Sequence, residues 1–290
     1  MLSPAAMGFV QRISAGASAL VLGSTLLLGA KESHAHAGLD VVEEALAEEV
    51  ERRPRDPGAR LDQAQAFEAA GAWDQALAAL DEAERLGGDR DQIDGLRGRV
   101  LVEAGRNEEA KRVLDRLIAR LPAAPGPRYQ RATALMRLHR PADAAVDFAA
   151  AVDTLPSPSP SHVLAWRDAL VAAGEPSEAV RALDRGMLRV GNVPTLELAA
   201  IDLEERLGRN QAALRRIDRL IAQSPRNPAW LARRGELLER TGATTDAKGS
   251  YAQALAMIES RPTAQRSQRT AALERRLRAA LASTPGDAQR

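Results

Sequence analysis

A glycine that returns every 34 residues constrains this chain more than any other feature. Gly71, Gly105, Gly174, Gly208 and Gly242 are separated by 34, 69, 34 and 34 residues, and 69 is one period of 34 plus one of 35. The skipped position falls on His139, a residue type that tolerates left-handed backbone better than most. Further lanes keep this register. An alanine stands five residues after each turn (Ala76, Ala110, Ala144, Ala179, Ala213, Ala247), and a large apolar residue four further on (Leu80, Leu114, Phe148, Leu183, Ile217, Tyr251). Fourteen residues before each turn come Pro57, Asp91, Pro125, Pro160, Pro194 and Pro228. Proline is only 16 of 290 residues, so five in one register mark a built feature.

Each lane has a physical reason. Proline suits the first turn of a helix, where its missing N–H has no partner to lose. A glycine roughly a dozen residues later ends that helix by taking positive φ without steric cost. A second helix must then cross the first closely, which the small alanine permits, and the large residue one turn on fills the space beside it. Neither helix can bury its apolar stripe alone, so the pairs stack. Six helix-turn-helix repeats are predicted, over 57–90, 91–124, 125–159, 160–193, 194–227 and 228–262, with the extra residue in Ser157-Pro158-Ser159-Pro160. Composition agrees. With 45% hydrophobic but only 3% aromatic residues, the core must be Ala, Leu, Val and Ile, and the alternation a sheet needs is scarce.

These residues resemble the tetratricopeptide repeat family over about 57–262. The first repeat carries Ala64, Phe67, Gly71, Trp73, Ala76, Leu80 and Ala83, and the third Ala132, Leu135, Ala144, Phe148, Ala151 and Pro156. Asn107 and Pro141 stand where the family has an aromatic after the turn, and Gly186 where it has alanine. The resemblance implies an all-α, right-handed superhelical α-solenoid with terminal capping helices. It implies a scaffold for protein–protein interaction, with the first helices lining a concave face that holds extended peptides.

The ends read differently. Arg12 precedes an uncharged stretch, most apolar over Ala19–Ala30, followed by Lys31-Glu32-Ser33 and Ala35-His36-Ala37. That order is a signal peptide over 1–37 with cleavage after Ala37, and a single Arg points to the general secretory route. The protein is thus expected to be exported and periplasmic in a bacterium. The alternative is an uncleaved inner-membrane anchor that leaves the repeats outside the cytoplasm. Residues 38–56 hold an amphipathic helix, Leu39–Arg52. Residues 263–283 form a capping helix with Ala272, Leu273, Leu277 and Leu281 on one face, before a tail, 284–290. Arg266, Arg269, Arg275, Arg276 and Arg278 surround that face. They are expected to be the polar outside of the cap, with contact to another protein or an anionic surface as the alternative.

Little chemistry is expected. The chain has no Cys, which excludes disulfides, thiolate metal sites and a cysteine nucleophile. His34 and His36 leave with the signal, while His139 and His162 stand alone, as a turn residue and a surface residue. No G-x-S-x-G, P-loop or G-x-G-x-x-G element is present. Glu43-Glu44 and Glu204-Glu205 read as solvated helix pairs. No catalytic residue, metal or cofactor is assigned. Without the signal the chain carries 38 charges of each sign, so nucleic acid is disfavoured.

Three lanes of the first helices describe the expected groove. Four residues after each start come Leu61, Gly95, Tyr129, Leu164, Leu198 and Ala232. Eight after come Gln65, Arg99, Thr133, Asp168, Asp202 and Glu236, and eleven after come Glu68, Val102, Met136, Val171, Glu205 and Glu239. The lanes predict an apolar middle and an acidic C-terminal end. An apolar segment of another exported protein or peptide would dock on Val102, Tyr129, Met136, Leu164 and Val171, and its basic residues would meet Asp168, Asp202, Glu236 and Glu239. The family's carboxylate clamp uses Lys, Arg and Asn here, and only Arg99 fits. The function expected is a scaffold or assembly factor in the cell envelope. The alternative is an accessory subunit that stabilises or regulates an exported enzyme.

Overall fold

A computed structural model describes residues 51–191, 193–262 and 267–283. The signal segment, most of the helix expected before Pro57 and the tail 284–290 lie outside the described residues. Among the described residues there are thirteen helices and no strand. They are α1 (Pro57–Ala69), α2 (Trp73–Arg85), α3 (Arg90–Glu103), α4 (Asn107–Arg120), α5 (Pro125–Arg137), α6 (Pro141–Thr154) and α7 (Pro160–Ala172). The series continues with α8 (Pro176–Val190), α9 (Pro194–Arg206), α10 (Asn210–Gln223), α11 (Pro228–Arg240), α12 (Thr244–Glu259) and α13 (Gln268–Ser283). The chain is an all-α repeat solenoid in which odd-numbered helices up to α11 open a repeat and even-numbered ones close it.

The helices fall into two compact units, one ending at Leu138 and the other beginning at His139. In the first, α1 packs on α2 and α3 on α4, and the opening helices α1, α3 and α5 are neighbours. In the second, α7 packs on α8, α9 on α10 and α11 on α12, α7 also touches α9, and α13 closes the end against α12.

The turn glycines set the repeat. Gly71 has φ 75°, and its counterparts Gly105, Gly174, Gly208 and Gly242 lie between 71° and 80°. At the third turn His139 takes φ 56°, the one positive-φ residue other than glycine among those described. The Gly71 N–H donates to Glu68 O (3.0 Å) and the Ala72 N–H to Phe67 O (2.8 Å). This pair of reversed bonds satisfies carbonyls that a helix end leaves open, and it turns the chain into α2 without a long loop. Ala76, Ala110, Ala144, Ala179, Ala213 and Ala247 are fully buried, and the large residues of the following lane are buried beside them.

The opening helices start by two chemistries. Proline occupies the first turn of α1, α5, α7, α9 and α11. The second repeat lacks proline and begins at Arg90 because Asp89 caps it, accepting from the N–H groups of Asp91 (2.8 Å) and Gln92 (3.1 Å). His162 is not a simple surface residue: its Nδ1 accepts from the Ser159 N–H at 3.0 Å, closing the first turn of α7. Gly186 is explained by its neighbour. A Cβ there would stand 2.2 Å from Cγ1 of Val163, so valine on the opening helix fills the space an alanine takes elsewhere.

The cap starts at Gln268. Leu277 is buried, and Leu273, Ala280 and Leu281 pack with it against the core around Leu237, Tyr251 and Ile258. Ala280 rather than Ala272 completes that face. Its arginines stay at the surface and pair there: Arg276 with Glu236, and Arg278 with Glu259 (2.9 Å) and Glu274 (2.7 Å).

Candidate functional site

The opening helices carry the candidate surface, and the two units build it differently. In the first unit a groove of about 370 Å³ runs across α1, α3 and α5, lined by Leu61, Gln65, Gln92, Gly95, Arg99 and Gln130 among others. Its floor is low because of glycine. A Cβ on Gly126 would meet nothing within 4 Å, and one on Gly95 would only touch Leu117 at 3.7 Å. Gln130 Oε1 is shielded from solvent and accepts no hydrogen bond from the protein. A buried carbonyl without a donor is unfavourable until something supplies one.

Arg99 is engaged. Its guanidinium makes a two-pronged pair with Glu68 across α1 and α3, so a ligand carboxylate would have to displace an existing partner. Val102 leaves the expected groove altogether. It is buried in the cluster of Leu101, Ala110, Val113, Leu114 and Ala134. Its carbonyl is taken by the Gly105 N–H (3.1 Å) and by Arg137. Tyr129 and Met136 are half-buried, and burial raises the Tyr129 phenol pKa above its ordinary value. Thr133 turns its hydroxyl back to the Tyr129 carbonyl at 3.0 Å.

In the second unit Leu164 and Val171 are half-buried and Asp168 is exposed, with Arg167 Nε 2.9 Å from its carboxylate. The acidic lane is not bare. Arg233 on α11 reaches back to Asp202 (2.7 Å) and Glu205 (2.9 Å) on α9, and stands 3.8 Å from Glu236. Arg240 also pairs with Glu205, and Arg276 with Glu236. Glu239 accepts from the buried Tyr251 hydroxyl at 2.8 Å. Burial first, and that hydrogen bond second, push the Tyr251 pKa above its ordinary range. The expected acidic end is therefore a charge-balanced ladder, because neighbouring opening helices bring each arginine beside the preceding repeat's acids. The signal was present as Arg233 and Arg240, five and twelve residues after Pro228.

Glu204, expected to be solvated, lies in a buried cluster with Glu197 and Arg216. Arg216 on α10 contacts Glu197 (3.1 Å) and Glu204 (3.0 Å) on α9 and Asp184 (2.8 Å) on α8. Burial opposes its charge, but the carboxylates of Asp184 and Glu204 outweigh that and raise its pKa above the ordinary value. This cluster joins the fourth repeat to the fifth.

No group of three His, Asp or Glu side chains among the described residues is arranged to hold a metal. No described helix is long and apolar enough to cross a membrane.

A sequence model of the tetratricopeptide repeat family matches residues 34–91, 96–160 and 198–265, well over half of the chain. The chain belongs to the tetratricopeptide repeat family. The first match begins ahead of Pro57, so the repeat pattern extends into the segment preceding α1. Between the second and third matches, 161–197 is unmatched, nearly the whole fourth repeat, where Gly186 stands in place of alanine. Its backbone follows the common plan all the same. Among solved structures, the C-terminal part of a repeat-containing protein from Cytophaga hutchinsonii is 12% identical, with a TM-score of 0.59 over 84% of this chain and 95% of that one. That likeness supports the tetratricopeptide repeat fold. A tetratricopeptide repeat protein from Parabacteroides merdae is 16% identical, with a TM-score of 0.47 over 86% of this chain and 97% of that one. No curated protein matches the chain. Tetratricopeptide repeats generally serve as scaffolds for protein–protein interaction and are typically non-catalytic.

Proposed function

We propose that this protein is a non-catalytic scaffold of the bacterial cell envelope that holds an extended segment of another exported protein on the face of α1, α3 and α5. The observation that carries this reading is the glycine-floored groove with Gln65, Gln92 and Gln130 around it. An extended backbone shows alternating N–H and C=O groups, and a primary amide can donate to one and accept from the other. The arginine ladder of the second unit already neutralises its acids, so the favoured ligand is an uncharged extended segment rather than a basic one. Export rests on Arg12, the apolar run Ala19–Ala30 and Ala35-His36-Ala37.

The full chain, tagged at its C-terminus and expressed in its native host, tests both parts. Fractionation is expected to place it in the envelope with Gly38 as its first residue. An intact N-terminus with the protein in the membrane fraction would select the anchor reading instead, and cytoplasmic protein would contradict export. Affinity capture is expected to enrich an exported partner that is lost with Gln65→Ala plus Gln130→Ala, while circular dichroism stays unchanged. Equal capture by that variant would remove the groove from the function.

A further inference from the structure

We infer that the outer face of α6 and α8 is a self-association surface that takes a second copy of this chain across a two-fold axis. A groove of about 630 Å³ lies here, with Ala145, Val146 and Ala149 of α6 on one side, Ala182 of α8 on the other, and Trp166 and Leu170 of α7 as its floor. Val146 is 68% exposed, and on α8 Leu188 is 87% exposed. These are the two most exposed large hydrophobic residues among those described. Leu188 follows Arg181 by seven residues and Arg185 by three, so helix geometry sets it on the stripe that borders the groove. One surface thus carries both an apolar projection and an apolar depression walled by alanines, which a two-fold axis can fit to itself.

The charges choose the occupant. Along that wall stand Glu175, just before α8, and Glu178, then Arg181 and Arg185 of α8. A second α8 running antiparallel brings Glu178 opposite the partner's Arg185 and Arg185 opposite the partner's Glu178. The same arrangement lays Leu188 of one copy over the N-terminal end of the other's groove, beside Ala142 and Ala173. A parallel arrangement would oppose like charges. Within one chain Arg181 pairs with Glu178, while Arg185 pairs with Asp153 and stacks over Trp166 at 5.8 Å from the ring centroid. Those contacts hold the guanidinium at the groove wall.

Sedimentation velocity of the full chain over a wide concentration range tests the inference. The expected result is a reversible dimer at twice the chain mass. Leu188→Asp plus Val146→Asp is expected to give a monomer with unchanged helical circular dichroism, since both side chains are exposed. Glu178→Arg and Arg185→Glu are each expected to raise the dimer Kd about tenfold, and the two together to restore it, because the swap re-forms both intermolecular pairs. A monomer at every concentration would overturn the inference. A dimer indifferent to Leu188→Asp, or charge swaps that fail to rescue one another, would do the same. Either outcome leaves the groove of α1, α3 and α5 untouched.

Discussion

In the fifth repeat charged side chains turn inward. Glu197 and Glu204 of α9 are buried around Arg216 of α10, and Arg219 stands 3.4 Å from Glu197. In the fourth repeat the interior is apolar, with Val163 against Gly186 and Trp166 and Leu183 buried, while an apolar residue, Leu188, faces out. Yet α7–α8 and α9–α10 have the same turn: Gly174 and Gly208 take φ of 79° and 71°, and both donate to the carbonyl three residues back, at 3.0 Å. The backbone plan needs only the turn, a started helix and a close crossing. Side chains elsewhere can exchange polarity between inside and outside as long as each exchange is matched by a neighbour.

The inward charges of the fifth repeat depend most on Arg216. Arg216→Ala leaves Glu204 buried without its partner and Glu197 with Arg219 alone, and is expected to lower stability by about 3 kcal/mol. Replacing Arg216, Glu197 and Glu204 together by apolar residues of similar volume is expected to recover most of that loss. Chemical denaturation of the three chains checks both statements. A small loss for Arg216→Ala alone would mean that the cluster does not join the two repeats.

Gly186→Ala sharpens the other side. The added methyl group overlaps Val163 and is expected to destabilise by about 1–3 kcal/mol. In a Val163→Ala background the same change is expected to be nearly neutral or stabilising, because the valine then no longer fills the alanine's place. A double-mutant cycle with coupling under about 0.5 kcal/mol would contradict the exchange. The smallest effect is at the start of α7. His162→Ala removes the acceptor for the Ser159 N–H and is expected to cost about 0.5–1.5 kcal/mol, read as a shift in the denaturation midpoint.

Much of the architecture was legible because proline at a helix start and glycine at a turn answer local backbone requirements. His139 shows the strength of that register: its place predicted a left-handed residue, and its φ is 56°. Asp89 was harder to see, since a side-chain cap does the work of proline one residue earlier in the helix. The candidate site was less legible because it depends on lateral register between repeats. Reading each lane separately put Val102 in the groove, where packing with Val113 and Leu114 buries it. Along their own helix Asp202 and Glu205 read as free acids, yet Arg233 lies within 3 Å of both. Sequence spacing along one helix fixes a face, but pairing across helices needs the distance between them.

We propose a partner held on the face of α1, α3 and α5. Site-specific photo-crosslinking in the native host tests it most directly, with the photoreactive residue at Gln65 or Gln92 on that face and at exposed Arg215 on α10. One partner is expected to be crosslinked from Gln65 and Gln92 and to be absent from Arg215. Crosslinks to a partner from Arg215 alone, or from none of the three, would contradict it.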